Sequence, residues 1–289
     1  MKKTTLSFIC CILLAALYSC NVSDKHKPLV AGIQKIVEKE TGVSLDIDNS
    51  GYAEGSSTSQ TEKLEIPATL NGTPEQILYR TGYTASYNKT TKLPNWVAWH
   101  LTAANTKGDV KRPRKAFHED EDVPEPRATD GDYYNSGFDR GHMCPAADNK
   151  WSEDAMYQSF LFTNMCPQNH NLNIGDWNEM ENACRKWAKK FGDIYIVCGP
   201  ILYKGKHKTI GSNKVVVPEA FFKVVLCMNG TPKAIGFIYK NQAGNRPKGD
   251  YVNTIDQVER ITGYDFFPAL PDDIEEKVEA SCNLDDWME

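Results

Sequence analysis

The chain has 289 residues, 40% of them hydrophobic and 25% charged, with a formal net charge of -5. That length can bury one large core or two small ones. The acidic balance argues against a protein that coats nucleic acid constitutively, yet it leaves room for a local arginine cluster that binds phosphate.

Lys2 and Lys3 precede an apolar run from Leu6 to Leu17. The run is too short for a permanent membrane helix and has the length of a secretory signal core, so residues 1–19 are read as a signal peptide. Leu17-Tyr18-Ser19-Cys20 resembles a bacterial lipoprotein box, which predicts a mature chain that starts at a lipid-bearing Cys20. Tyr18 is bulky for that box, and cleavage to a soluble secreted protein is the alternative. The expected location is therefore extracytoplasmic, membrane-anchored through the lipid. Of nine cysteines, Cys144, Cys166, Cys184, Cys198, Cys227 and Cys282 remain after the signal and Cys20 are set aside. Disulfides and buried thiols are both open readings, while the absence of a Cys-x-x-Cys pair disfavours a zinc ribbon.

Residues 20–63 read as a polar tether, with one helical stretch from Leu29 to Glu40 and a Gly/Ser/Thr-rich linker from Gly51 to Ser59. A folded domain over 64–270 follows, and 271–289 reads as a tail. Trp96 to Leu101 suits a buried strand, and Lys111 to Arg127 a charged loop. Ser152 is placed to cap a helix running toward Phe160 to Asn164, which reads as a central strand. Trp177, Met180, Cys184, Trp187, Ala188 and Phe191 recur at three- and four-residue steps and predict an amphipathic helix. Ile194 to Cys198, Lys214 to Val217, Phe221 to Met228 and Lys233 to Tyr239 are further strand candidates. Thr254 to Gln257 has the form of a capping box, and Gly263 ends that helix. Strands in runs, interrupted by helices, predict an α+β fold with a mostly antiparallel central sheet and flanking helices.

The chemistry concentrates in Asp139-Arg140-Gly141-His142, followed about thirty residues later by Asn173-Ile174-Gly175-Asp176-Trp177 and Glu181. A base, a cation, an amide oxygen and a carboxylate are together the parts needed for metal-assisted phosphodiester cleavage. Each alone has a bland reading. A lone histidine is more often structural, and Glu181 could simply pair with Arg185 one turn on.

Read together with Asn164 to Gln168, Ala147 to Ser152, Gly199-Pro200, Val217-Pro218, Phe221 to Val224 and Ile261 to Pro268, these motifs resemble the DNA/RNA non-specific endonuclease family, the ββα-metal nucleases that include endonuclease G. The resemblance covers roughly 64 to 270. It implies His142 as general base, Asn173 as the direct ligand of Mg2+ or another divalent cation such as Mn2+, and Glu181 as the carboxylate holding the metal's waters. It implies phosphate contacts from Arg140 and Arg185 and from one upstream arginine, for which Arg112 and Arg114 are both candidates. Asp139 would orient the loop, and Asn164 and Gln168 would brace the helix that carries Asn173. His170 is close enough to Asn173 to be weighed as a second ligand, although the motif already supplies one. Cys144 and Cys166 depart from the small or aliphatic residues usual beside these motifs, and either a disulfide between them or two buried thiols would fit.

The activity so implied is internal hydrolysis of DNA and RNA to 5′-phosphate products. The rivals are a catalytically silent surface protein that binds nucleic acid and a phosphodiesterase acting on another diester.

Overall fold

The computed structural model describes residues 63–288. The expected signal, Cys20, the helix at 29–40 and the Gly/Ser/Thr-rich linker lie outside the described residues. The strands are β1 (Gln76–Tyr79), β2 (Thr84–Asn88), β3 (Leu93–Thr102), β4 (Asp139–His142), β5 (Met165–Gln168), β6 (Asp193–Ile201), β7 (Thr209–Ile210), β8 (Val215–Val216), β9 (Ala220–Cys227), β10 (Lys233–Lys240) and β11 (Val252–Asn253). Seven form an antiparallel sheet in the order β1-β2-β3-β6-β9-β10-β11, while β4-β5 and β7-β8 are separate two-stranded units. The helices are α1 (Asp130–Tyr133), α2 (Glu153–Gln158), α3 (His170–Leu172), α4 (Asn178–Phe191), α5 (Ile255–Thr262), α6 (Asp272–Ala280) and α7 (Asp285–Met288). This is the α+β, mostly antiparallel class that the strand runs predict. No described helix is long and apolar enough to cross a membrane.

The sheet is buried on both faces because its central strands alternate between two cores. Val97, Trp99, Leu101, Phe221 and Val225 pack with Met180, Cys184, Trp187 and Ala188 of α4. Trp96, Ala98, Phe222, Val224 and Leu226 face the other way, against Ile255 and Val258 of α5 and Val278 of α6. The three- and four-residue spacing read for α4 thus marks the face it lays on the sheet. Its C-terminus is closed by Gly192 at φ 97°, and α5 ends at Gly263 at φ 79°, positions where a side chain would be strained.

Three readings change, and the open one on the cysteines narrows to thiols. Phe160 to Asn164 is not a central strand. Leu161 makes one bridge to His118 and Phe162–Asn164 form a tight 3-10 turn, with pairing starting only at Met165. The apolar run there reflects burial rather than extension, an ambiguity inherent in short apolar segments. Lys214 to Val217 contracts to the two residues of β8. All six cysteines beyond Cys20 are free thiols, five of them buried, so Cys144 and Cys166 are packed side chains rather than a bridge. The stretch after 270 forms α6 and α7, with Val278 and Trp287 buried and Trp287 lying 4.7 Å from the Trp187 ring.

Candidate active site

The site is built on β4, β5 and the helix that follows. Antiparallel register sets Asp139 opposite Gln168 and His142 opposite Met165. Gly141 is required at the crossing, because a Cβ there would stand 2.6 Å from the Gln168 Cβ. After β5, Asn169 caps α3, its Oδ1 accepting from the backbone N–H groups of Asn171 (3.0 Å) and Leu172 (3.3 Å). Asn173 then opens a wide π-type turn, Asn173–Trp177, which passes directly into α4.

Asp139 fixes the Asn173 amide. Its Oδ2 accepts from Asn173 Nδ2 at 2.9 Å and lies 2.9 Å from His170 Nδ1. A carboxylate can only accept, so the amide must turn its nitrogen to Asp139, and its oxygen points elsewhere. Among the described residues nothing donates to that oxygen, so it is a hard ligand free for a cation. His170 is bound to the orienting carboxylate and so shares the positioning of Asn173.

His142 ends β4 with its ring between aromatics, 4.9 Å from the Phe160 ring edge-on and 5.7 Å from Phe117. Its carbonyl accepts from Trp177 Nε1 at 3.1 Å, tying β4 to the turn before α4. Its Nε2 is buried and has no partner among the described residues. Burial, with the Arg112 charge beside it, pulls the imidazole down from 6.5 to about 3. The ring is therefore neutral at physiological pH, with a nitrogen able to take a proton.

The Phe117 ring is where the arginines meet. Arg112 lies over it at 5.1 Å and over Phe160 at 4.9 Å, and Arg140 lies over Phe117 at 5.3 Å. Both upstream candidates are exposed residues of one loop, and of the two only Arg112 makes such a contact among the described residues, sharing the aromatic pair that holds His142. Arg140 is held by Asp130, with Nε donating to Oδ1 at 2.7 Å.

Glu181 is partly buried on α4. Burial and the Asp148 charge push its carboxyl up to about 7, against the opposing pull of Lys223 and Arg185. No ion pair joins it to Arg185 among the described residues. Arg185, expected near phosphate, instead engages buried Asp148 through Nη1 at 2.7 Å and Asn182 through Nη2 at 2.9 Å. Asp148 also accepts from Trp99 Nε1 at 3.2 Å.

Two support roles differ from expectation. Asn164 does not brace the Asn173 helix. Its Oδ1 accepts from Cys144 N–H at 2.9 Å and its Nδ2 donates to Cys144 and Ser159 carbonyls, both at 2.8 Å, which secures the turn after His142. Gln168 is fully buried under Gly141 with neither amide atom partnered among the described residues, so there it contributes packing and no hydrogen-bonded brace. The bracing comes from residues to which the sequence reading gave no role. Asn241 Oδ1 accepts from Asn169 N–H at 2.7 Å, and its Nδ2 donates to the Pro167 carbonyl at 3.0 Å. Asp176 accepts from Asn245 N–H at 2.7 Å and from the Tyr251 hydroxyl. Lys223, on the sheet face beneath α4, is wholly buried with its ammonium 4.3 Å from the Trp177 ring and 5.3 Å from Trp99. Asn169 could have been found as an N-cap; Asn241 carried no local signal.

Comparison with known proteins follows the same lines. Residues 60–273 match the family described as DNA/RNA non-specific endonuclease. The mitochondrial nuclease EXOG of Danio rerio is 36% identical over 66% of this chain, which spans 61% of that protein's length. Nuclease C1 of Cunninghamella echinulata var. echinulata is 40% identical over 69% of this chain and 85% of its own. Mitochondrial endonuclease G of Bos taurus is 32% identical over 68% and 70%. A chain of the solved EndoG/EndoGI complex superposes with a TM-score of 0.67 at 27% identity, covering 76% of this chain and 94% of its own.

Proposed function

Because this chain belongs to the DNA/RNA non-specific endonuclease family, we propose that it is a metal-dependent endonuclease cleaving DNA and RNA internally, with little sequence preference, to 5′-phosphate products. One observation carries the reading. His142, held neutral by its surroundings, lies in the same ββα unit where Asp139 turns the Asn173 amide so that its oxygen is free among the described residues.

In this reading the neutral His142 imidazole accepts the proton of the attacking water, a step that positioned bases accelerate by about a hundred- to ten-thousand-fold. A substrate phosphate beside the ring would raise the imidazole's proton affinity, since a nearby anion favours the charged form. Arg112 and Arg140 offset the charge that builds on phosphorus, Arg140 as a group already fixed by Asp130. Arg185 acts behind the site by neutralising Asp148. The family implies a divalent cation, and the donor set fits one: Asn173 Oδ1 as direct ligand and Glu181 holding its waters suit magnesium, with manganese second, as a Lewis acid for the leaving 3′-oxygen. Substrate affinity is mainly electrostatic. A groove lined by Arg185, Lys186, Lys189, Lys190 and Lys248 supports binding of a polyanion despite the acidic whole.

The test is incubation with supercoiled plasmid, single-stranded DNA and RNA, with and without chelator, followed by end-group analysis. Nicking of all three, abolished by chelator and leaving 5′-phosphates, is expected. Binding without cleavage would mean a silent surface protein, and turnover confined to small diesters a different phosphodiesterase.

The lipoprotein reading belongs to this proposal too, supported by Lys2, Lys3, the Leu6 to Leu17 run and Cys20 in sequence. Mass spectrometry of the mature N-terminus should find lipidated Cys20, with the enzyme in the membrane fraction and Cys20→Ser released from it. An unmodified start elsewhere would make the enzyme soluble and secreted.

A further inference from the structure

On the opposite side of the sheet from the site, α5 and α6 bring acidic side chains together. Asp256 and Glu259 lie three apart on α5, Asp265 follows its cap, and Glu275 and Glu279 lie four apart on one face of α6. One oxygen each from Asp256, Glu259 and Glu279 lies within 4.8 Å of the others, and the same holds for Asp265, Glu275 and Glu279. Like charges at four-residue spacing destabilise a helix, and stacking them against a second acidic helix adds to the repulsion. No ion pair among the described residues joins any of the five to a cation. Glu279, common to both groups, is 9% exposed, and its Oε1 is buried with no hydrogen-bond partner among the described residues. A buried carboxylate oxygen left unpaired is costly, and a bound cation removes that cost.

We propose that Asp256, Glu259, Asp265, Glu275 and Glu279 form a second divalent-cation site, taking calcium in preference to magnesium, which clasps α6 to α5 and takes no part in the reaction. The spacing fits. Calcium binds oxygens at about 2.3–2.6 Å, so two of its ligands stand at most about 5 Å apart, as the oxygens within each of the two triads sharing Glu279 do. A set made only of carboxylates disfavours zinc, which draws on nitrogen and sulfur. Calcium accepts many carboxylates in irregular geometry, whereas magnesium demands an octahedron and keeps most of its waters. Glu259 Oε1 also accepts from Phe266 N–H at 2.8 Å, so an ion here would fix the Phe266-Phe267 segment that packs into the second core.

The experiment reads melting and binding without substrate, so its outcome is independent of the nuclease reading. The chelator-treated full chain is melted with and without 1 mM calcium or magnesium, and calcium stoichiometry is taken by calorimetry. Wild type and Asn173→Ala should both gain about 5 °C or more with calcium and less with magnesium. Glu279→Gln should lose most of that gain. Its metal-free form should melt no lower than metal-free wild type, because a repelling charge is gone, and its magnesium-dependent cleavage at 25 °C should stay within about two-fold. Should Glu279→Gln fail to fold, Glu275→Gln carries the same expectation from a less buried position. A calcium effect that disappears in Asn173→Ala, or survives undiminished in the glutamine variants, overturns the site, as does the absence of any calcium binding.

Discussion

Replacing His142 with Phe separates the base from its surroundings, because two readouts move for different reasons. The ring sits between Phe117 and Phe160, so Phe preserves the packing while removing the proton acceptor; turnover should fall about a hundred-fold or more. The second readout is stability against pH. The native imidazole titrates at about 3 and the unfolded one at 6.5, so between those values the unfolded chain binds the extra proton. Stability therefore rises with pH across that window; it is complete above 6.5 and progressively lost as pH falls toward 3. Between pH 7 and pH 4.5 the loss approaches about 2.5 kcal/mol at 1.36 kcal/mol per pH unit, an upper figure because the ring keeps some access to solvent. His142→Phe should lack this component. Urea unfolding of both proteins at the two pH values measures the difference. Equal pH dependence would mean that the imidazole is not desolvated, and near-wild-type turnover would remove His142 from the reaction.

Asp139→Asn lets the Asn173 amide flip, and should raise the divalent-cation concentration needed and lower turnover by about ten- to a hundred-fold; an unchanged metal titration would move the ligand away from Asn173. Arg112→Gln should weaken cleavage more than Arg114→Gln, and equal effects in a side-by-side assay would undo the assignment made from Phe117 and Phe160. Lys223→Met leaves the carboxylates beneath α4 short of one buried cation and should cost roughly 3–5 kcal/mol in urea unfolding; a neutral result would show that Arg185 alone balances Asp148 and Glu181. DNA affinity of the metal-free protein should fall steeply with added salt and vary little between sequences, and a flat salt titration would contradict a phosphate-based grip.

Much of the fold was legible because its signals are local. Trp177, Met180, Cys184, Trp187 and Ala188 announced one face of α4, and that face is the one buried. The grouping of the candidate site residues was legible for the same reason, since β4, β5 and the turn into α4 follow one another along the chain and bring their motif residues together by short-range geometry. Phe160 to Asn164 misled because burial of an apolar run does not require strand pairing; Asn164 spends its side chain on the Cys144 and Ser159 backbone instead. Asn241 was invisible because its partners Asn169 and Pro167 are separated from it by more than seventy residues, and an asparagine after a strand looks like any turn. Lys223 is the instructive case. Period-two alternation would assign a lysine in β9 to solvent, but both faces of this strand are covered, and Phe221 and Val225 on the same face are core. Its charge is retained there because the carboxylates of Glu181 and Asp148 lie on the helix and loop packed above it. The acidity of Glu181 is therefore set by the sheet beneath as well as by its own helix: burial and Asp148 drive its carboxyl up, while Lys223 and Arg185 hold it to about 7. The carboxylate proposed to hold the metal's waters is thus tuned by a core lysine to which the sequence reading gave no role.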